Sequence, residues 1–129
     1  MSLLEAVLYG CSVPTGAGIV LNQLVKLKKN KKVCLIGVGG IGMAALTALL
    51  KKKSKVFVIE NNKNKKNFLK KFDIKILSNK LELKKYYNYF DYCIETSGSA
   101  KMIEKGLDLI KIDGTLVFAS HPPILRPMP

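Results

Sequence analysis

The chain has 129 residues, enough for one domain with a buried core, and 48% of them are apolar, which excludes a disordered chain. Its net charge is +13, yet Arg126 is the single arginine among 22 basic residues. Proteins that bind nucleic acids rely on arginine forks gathered on one face, whereas these lysines are scattered, so the composition argues against a nucleic-acid partner.

The cysteines and the first residues bear on the compartment. The chain contains three cysteines, Cys11, Cys34 and Cys93. Their number is odd and two of them fall in predicted strands, which is typical of buried free thiols in a reducing cytoplasm. Residues 1–25 contain neither Lys nor Arg, and Glu5 interrupts their apolar stretch, so no secretory signal is predicted. We expect a cytoplasmic protein in which residues 1–9 are a leader.

A turn-rich stretch, GCSVPTGAG, lies at Gly10–Gly18. It leads into an apolar pattern at Ile19–Leu27, which predicts a helix with one face against a sheet. Lysines then end this helix near Asn30.

The main motif lies in Val33–Leu50, VCLIGVGGIGMAALTALL. Its first four residues predict a buried strand, Gly37–Gly42 forms a GxGxxG turn, and good helix formers follow. A dinucleotide site requires this order of strand, glycine turn and helix. In such a site the first glycine turns the chain, the second admits the pyrophosphate and the third lets the helix pack closely on the strand. The first helical amides would then face the phosphates. The residues concerned are Gly37, Gly39, Gly40, Ile41 and Gly42. The stretch is uncharged and nearly long enough for a membrane span, but its glycines and its strand-like start argue against one.

The second predicted strand, Val56–Ile59, ends in Glu60. This acid follows the glycine turn at close to the spacing of about 20 residues that a ribose-binding carboxylate has. A carboxylate there accepts both ribose hydroxyls and repels a 2′-phosphate, so Glu60 favours NAD over NADP. Lys63 and Lys65 soften this preference, because either can meet a phosphate.

The remaining pattern alternates helices with strands. The predicted elements are a helix at Lys63–Phe72, a strand at Ile74–Leu77, a weak helix at Leu81–Tyr89, a strand at Tyr92–Glu95, a helix at Ala100–Ile110, a turn at Asp113–Gly114 and a strand at Leu116–Ala119. Residues predicted to face the core are Phe68, Leu69, Phe72, Met102, Ile103, Leu107 and Ile110. The tyrosines at 86, 87 and 89 are interpreted as packing residues rather than as a platform for stacking bases.

Alternating strands and helices predict an α/β fold: a doubly wound parallel sheet of the Rossmann type in the order 3-2-1-4-5. The cofactor is then expected across the carboxyl ends of strands one and four, where the strand order reverses. A sixth strand is missing from this prediction, because the prolines before Pro129 cannot supply it. The open edge of strand five is a pairing surface, which suggests a homodimer.

Several motifs together resemble a known family. GCSVPTGAG, VCLIGVGGIG, VFVIENNKNKK, FDYCIETSGS and DGTLVFASHPP occur in the order and at the intervals of the NAD-binding domain of zinc-containing medium-chain alcohol dehydrogenases. The resemblance covers Gly10–Pro123 and leaves residues 124–129 as a proline-rich tail. It implies an oxidoreductase that moves hydride between a zinc-bound alcohol or aldehyde and the nicotinamide of NAD. In that family the same sheet edge joins two subunits.

The resemblance also implies roles for single residues. Cys11 corresponds to a ligand of the catalytic zinc, a metal that keeps one position open for the substrate oxygen. Thr15 corresponds to a residue near the nicotinamide ring, Glu60 to the acid at the ribose, and Lys65 to a lysine at the ribose. Residues corresponding to the lining of the nicotinamide half are Thr96, Ser97, Gly98, Phe118, Ala119 and Ser120.

The sequence also departs from the family. The other zinc ligands, a cysteine and a histidine followed closely by an acid, belong to a preceding catalytic domain that this sequence lacks. The single histidine, His121, lies beside prolines and is interpreted as a loop residue without a catalytic role. Because Cys11 alone cannot hold zinc tightly, we expect the 129-residue chain to be inactive by itself, and its substrate is not predicted.

Two alternatives stay open. A stand-alone NAD-binding sensor or regulatory module would share these motifs without catalysis. An upstream reading frame carrying the missing cysteine and histidine would distinguish a dehydrogenase from such a module. A different glycine-turn protein, such as a ligase or a transporter-gating domain, has no need of the CSVPTG turn.

Overall fold

The computed structural model describes residues 12–23, 31–78 and 80–119. Helix α1 spans Ser12–Gly18 and continues as a π-helical turn at Ile19–Gln23. The later elements are β1 (Lys32–Ile36), α2 (Gly40–Lys51), β2 (Lys55–Ile59), α3 (Lys63–Leu69), β3 (Lys75–Leu77), α4 (Lys80–Lys84), β4 (Phe90–Glu95), α5 (Ala100–Leu109) and β5 (Ile110–Phe118).

The five strands form one parallel sheet in the order β3-β2-β1-β4-β5. This order confirms the predicted doubly wound fold. The chain moves outward from β1 in one direction through β2 and β3, and then returns to the other side of β1 with β4. The carboxyl ends of β1 and β4 therefore lie side by side where the topology reverses, which is the usual ligand crevice of such sheets.

Each face of the sheet carries its own core. On one face, strand residues such as Leu35 and Val58 pack with Leu46 of α2 and Leu69 of α3. The π-helical turn contributes Val20 to the same cluster. On the other face, strand residues pack with Leu83 of α4 and Leu109 of α5; they include Cys34, Ile36, Phe90 and Cys93. Helices therefore cover both faces, as parallel sheets require.

The two described cysteines are neighbours across β1 and β4. Cys34 and Cys93 are register partners, both are fully buried, and both are free thiols, as predicted. Burial raises the pKa of the Cys34 thiol well above its ordinary value, and its hydrogen bond with Cys93 adds to the increase. The Cys34 thiol therefore stays protonated, and both cysteines pack as small core residues.

The turn predicted in Gly10–Gly18 was wrong from Ser12 onward, because a helix begins at Ser12. Pro14 falls in the first turn of α1, where a missing N–H costs nothing. Gly16 serves close packing rather than a turn: a Cβ there would lie 2.7 Å from Ala44 Cβ and 2.9 Å from Ala45 N of α2. The continuation predicted to Leu27 lies outside the described residues beyond position 23.

Two other helices are shorter than predicted. Helix α3 ends at Leu69, and the next residues form a tighter turn in which the N–H of Phe72 donates to Leu69 O at 3.1 Å. Helix α4 ends at Lys84, whereas the pattern predicted a helix to Tyr89. Asn88 adopts a left-handed conformation with φ of 57°, which ends the turns after α4 and directs the chain into β4.

The last strand is longer than predicted, and the residues predicted to form a turn, Asp113 and Gly114, lie inside it. Strand β5 begins at Ile110, opposite Phe90, but the next register pair joins Thr115 to Tyr92. Residues 111–114 therefore bulge out of the ladder, and Asp113–Gly114 lies in this bulge rather than between separate elements.

The prediction that Leu107 of α5 faces the core was also wrong, since Leu107 is 57% exposed while Leu109 is fully buried.

Within the described ranges, no helix has the length and apolar character needed to cross a membrane. The stretch Val33–Leu50, which raised this alternative, forms β1, the glycine turn and most of α2.

Candidate dinucleotide-binding site

The glycine turn joins β1 to α2 at the carboxyl edge of the sheet. Gly37 has a φ of 84°, a conformation that favours glycine, and its N–H donates to Ile59 O at 3.0 Å, which ties the turn to β2. Gly42 is buried against Gly37: a Cβ there would collide with the Gly37 carbonyl oxygen and lie 3.2 Å from the carbonyl carbon. The first and third glycines therefore let α2 start directly against the end of β1.

Gly39 has different surroundings. A Cβ placed on it would meet no atom within 4 Å, so the space beside it is open. It is the N-cap of α2, with a φ of −92° and no side-chain cap, and its carbonyl accepts the N–H of Met43 at 2.8 Å. The first N–H groups of a helix have no partner within the helix, and here they belong to Gly40 and Ile41. An uncapped helix start beside open space fits an anionic pyrophosphate.

Glu60 is fixed beside this turn at the end of β2. Its Oε2 accepts the N–H of Val38 at 2.8 Å, and its Oε1 accepts those of Asn61 and Asn62 at 3.2 and 3.1 Å. The carboxylate thus connects the glycine turn to the loop before α3. A carboxylate has about four acceptor positions, so these three bonds orient Glu60 and leave room for a hydroxyl donor.

Thr96 connects β4 to the same turn. Its N–H donates to Ile36 O at 2.9 Å, and its hydroxyl lies 3.0 Å from Ile36 O and 2.9 Å from Gly37 O, so one O–H is shared between two carbonyls. This bonding fixes the tips of β1 and β4 together.

Glu95 is a buried acid in this crevice to which the sequence analysis gave no role. It is fully buried at the end of β4, and its Oε1 accepts the N–H of Ser97 at 2.6 Å and also the Ser97 hydroxyl. Its backbone carbonyl accepts the N–H of Ala119 at 2.9 Å. The sequence contained one signal that could have identified Glu95, namely an acid at the carboxyl end of an otherwise apolar strand. Functional polar residues in α/β sheets usually lie at this end of the strands.

Comparison with known proteins decides the family. A sequence profile of zinc-binding dehydrogenases matches residues 40–127, more than half of the chain. The chain belongs to the zinc-binding dehydrogenase family. An S-(hydroxymethyl)glutathione dehydrogenase of Komagataella pastoris is 34% identical over 89 residues, which are 68% of this chain and 23% of that protein. The chain thus spans about a quarter of the length of this relative.

Solved structures agree on the fold. A benzyl alcohol dehydrogenase from Acinetobacter calcoaceticus superposes with a TM-score of 0.79 at 21% identity, over 92% of this chain and 34% of its own. A zinc-dependent alcohol dehydrogenase from Streptococcus pneumonia gives 0.75 at 23% identity, over 87% and 35%. The CurK enoyl reductase gives 0.78 at 21% identity, over 98% and 40%. The fold described above is therefore shared with proteins that are roughly two and a half times as long as this chain.

Several other residues predicted to bind the cofactor lie around the same edge of the sheet. The N–H of Lys65 donates to Asn62 Oδ1 at 3.1 Å at the start of α3, and its exposed side chain lies beside Val38. Phe118 is 54% exposed and ends β5 opposite Glu95. Gly98 has a φ of 77° in the loop before α5. Thr15 is exposed on α1, and no described contact joins it to the glycine turn.

The zinc assignment has no counterpart in the described structure. Cys11, Ser120 and His121 lie outside the described residues. Among residues 12–23, 31–78 and 80–119, no three His, Cys, Asp or Glu side chains come together as ligands of a metal ion. The described residues therefore fit a dinucleotide, and they include no group of metal ligands.

Proposed function

We propose that this chain is the NAD(H)-binding domain of a zinc-dependent alcohol or polyol dehydrogenase. The observation that carries the proposal is the open position at Gly39, at the uncapped start of α2 and next to the anchored carboxylate of Glu60. Membership of the zinc-binding dehydrogenase family supports the same conclusion.

Each part of the site has a separate task in this proposal. The first amides of α2, at Gly40 and Ile41, hold the pyrophosphate, while Glu60 accepts a hydroxyl of the adenosine ribose. A 2′-phosphate in place of a hydroxyl would put a second negative charge against this carboxylate, so NADH binds more tightly than NADPH. Lys65, Thr15 and the ends of β4 and β5 line the rest of the cofactor, whose nicotinamide supplies the hydride acceptor.

The remaining parts of the proposal concern the intact enzyme. Its substrate is an alcohol or aldehyde, and Cys11 joins zinc ligands supplied from outside this chain, so the chain alone is inactive. The enzyme is cytoplasmic. In the described part of the chain β5 is the outermost strand on its side of the sheet. This edge supports a homodimer, because Ile112 in its bulge is 98% exposed and Phe118 is 54% exposed.

The test is a fluorescence titration with NADH and NADPH of the wild-type chain, Glu60→Gln and Glu104→Gln. Glu104 is exposed on α5 and gives a matched control with the same loss of charge. We expect NADH to bind more tightly than NADPH, and only Glu60→Gln to narrow this difference. Equal binding of both cofactors to the wild type, or no binding by a folded sample, would contradict the proposal. Recovery of alcohol oxidation when the upstream part of the gene is included would separate the dehydrogenase from a stand-alone sensor.

A further inference from the structure

Residues 96–99, which we call the β4 loop, form one wall of the candidate dinucleotide site. They connect the carboxyl end of β4 to the start of α5. The loop packs against the glycine turn, since a Cβ on Gly37 would lie 3.2 Å from Ser97 N and 3.3 Å from Ser97 Cα. Ser97 is itself exposed. The β4 loop therefore lies where a dinucleotide crosses the carboxyl ends of β1 and β4.

A buried acid holds this loop from inside the fold. Glu95 is the last residue of β4 and is fully buried, although Ser97 beside it is exposed. The Oε1 atom of Glu95 accepts the N–H of Ser97 at 2.6 Å and also accepts the Ser97 hydroxyl. Burial of a carboxyl group is unfavourable unless hydrogen bonds satisfy it, so these bonds stabilise the positions of both residues.

The hydrogen bonds continue from Ser97 to the start of α5. The hydroxyl oxygen of Ser97 accepts the N–H of Ser99 at 3.3 Å. Ser99 is the N-cap of α5, and its carbonyl accepts two N–H groups of the first turn, each at 3.0 Å. Between the two serines, Gly98 has a φ of 77°, a conformation that favours glycine. One chain of hydrogen bonds therefore runs from Glu95 through the whole β4 loop.

We propose that Glu95 is a positioning residue for the dinucleotide: by holding Ser97, it fixes the β4 loop in the binding conformation before the cofactor arrives. Without this support the loop would adopt several conformations, and the observed affinity would fall in proportion to the fraction that is competent to bind. Glu95 acts through Ser97 and does not touch the cofactor, because its side chain is fully buried. This inference rests on the proposed function, since it concerns the same site.

The test is a fluorescence titration with NADH of the wild-type chain and of variants at both residues. Ser97→Ala removes the hydroxyl and should weaken NADH binding about five- to ten-fold, whereas Ser97→Thr keeps the hydroxyl and should restore most of the affinity. Glu95→Gln keeps an acceptor but loses the charge that strengthens its bonds, so a loss of about two- to five-fold is expected. In the double variant Glu95→Gln/Ser97→Ala the loss should fall well short of the product of the single losses, because both changes act through the same bonds.

A second measurement follows the β4 loop directly, through the backbone signals of Gly98 and Ser99 in ¹⁵N NMR spectra. Without cofactor these signals should be sharp in the wild type and broadened in Ser97→Ala and Glu95→Gln. Saturating NADH should sharpen them again, which a residue that only stabilises the fold would not produce. Glu104→Gln is the control, because Glu104 is exposed on α5 and the variant loses the same charge as Glu95→Gln. It should leave both the signals and the NADH affinity unchanged.

The outcomes separate this inference from the proposed function. Failure of the folded wild type to bind NADH would contradict both. Wild-type NADH affinity in folded Glu95→Gln and Ser97→Ala would overturn only the role of Glu95, and so would single losses that multiply in the double variant, because Ser97 would then act independently of Glu95. If Glu95→Gln fails to fold, the exposed serine still decides: equal affinities of Ser97→Ala and Ser97→Thr would overturn the inference.

Discussion

Gly39 and Gly42 belong to one turn but have opposite surroundings, so an alanine at each position separates cofactor binding from folding. Gly39→Ala adds a methyl group to open space at an allowed φ of −92°. The lower entropy of the unfolded chain stabilises the variant by roughly 0.4–1 kcal/mol, and alanine is a poorer N-cap than glycine by a similar amount. We expect the free energy of unfolding to change by less than about 0.5 kcal/mol. The methyl group occupies the approach of the pyrophosphate, so NADH should bind at least about ten-fold more weakly, a loss of about 1.4 kcal/mol.

Gly42→Ala should do the reverse. Its methyl group would collide with the Gly37 carbonyl and lie 3.3 Å from Thr96 Oγ1, so α2 must move away from the turn. Such overpacking costs about 1–3 kcal/mol, from which the better helix propensity of alanine recovers up to about 1 kcal/mol. Urea unfolding followed by circular dichroism, and NADH titration of both variants, measure the two effects. Wild-type NADH affinity in Gly39→Ala would refute the assigned pyrophosphate position, and wild-type stability in Gly42→Ala would refute the close contact.

Three further predictions concern the fold around the site. Thr96→Val removes the hydroxyl bonds that join β4 to the glycine turn, so it should lower the free energy of unfolding by about 1–2 kcal/mol and weaken NADH binding, while Thr96→Ser should restore both. Leu109→Ala should lower the free energy of unfolding, measured in urea, by about 2–5 kcal/mol, because Leu109 is fully buried. The control is Leu107→Ala at an exposed position, and a loss greater than about 0.5 kcal/mol there would contradict the assigned helix face. Burial opposes the ionisation of Asp91, but hydrogen bonds from the Lys32 N–H and from Lys111 outweigh it and lower its pKa. The stabilisation by the ionised Asp91 is therefore complete above its unfolded pKa of about 3.9 and is lost as the pH falls through the lower folded pKa. Below about pH 4, the free energy of unfolding should therefore fall less steeply with decreasing pH in Asp91→Asn than in the wild type. Equal slopes in the two proteins would contradict this prediction.

The sequence was sufficient to predict the strand order of the sheet, because the patterns that indicate strands, turns and helices are local and agree with one another. Short apolar runs ending in a glycine turn or an acid predicted β1, β2 and β4, and alternation with helices predicted their order. The glycine spacing also predicted that Gly42 packs against the end of β1, because a GxGxxG turn between a strand and a helix leaves little other choice.

The errors arose where tertiary contacts override local preference. Gly16 and Pro14 are turn residues in most contexts, yet here Pro14 fits the first turn of α1 and Gly16 lets that helix lie on the backbone of α2. The sequence of α5 allows two apolar faces, one that contains Leu107 and one that contains Leu109. Only the packing of the helix on the sheet shows that Leu109 is on the buried face. Partners such as Val38 for Glu60 are far apart in sequence, and no local pattern identifies them.

The anchoring of Glu60 has a consequence for cofactor choice. The sequence predicted a single role for Glu60, which is to discriminate between a hydroxyl and a phosphate on the ribose. In the structure the same carboxylate accepts the N–H of Val38, inside the glycine turn, as well as two N–H groups before α3. A substitution that removes the side-chain oxygens therefore also loosens the turn that binds the pyrophosphate. For this reason Glu60→Ala should lose NADH affinity without gaining NADPH affinity, whereas Glu60→Gln, which keeps an oxygen acceptor for the turn, isolates the effect of charge.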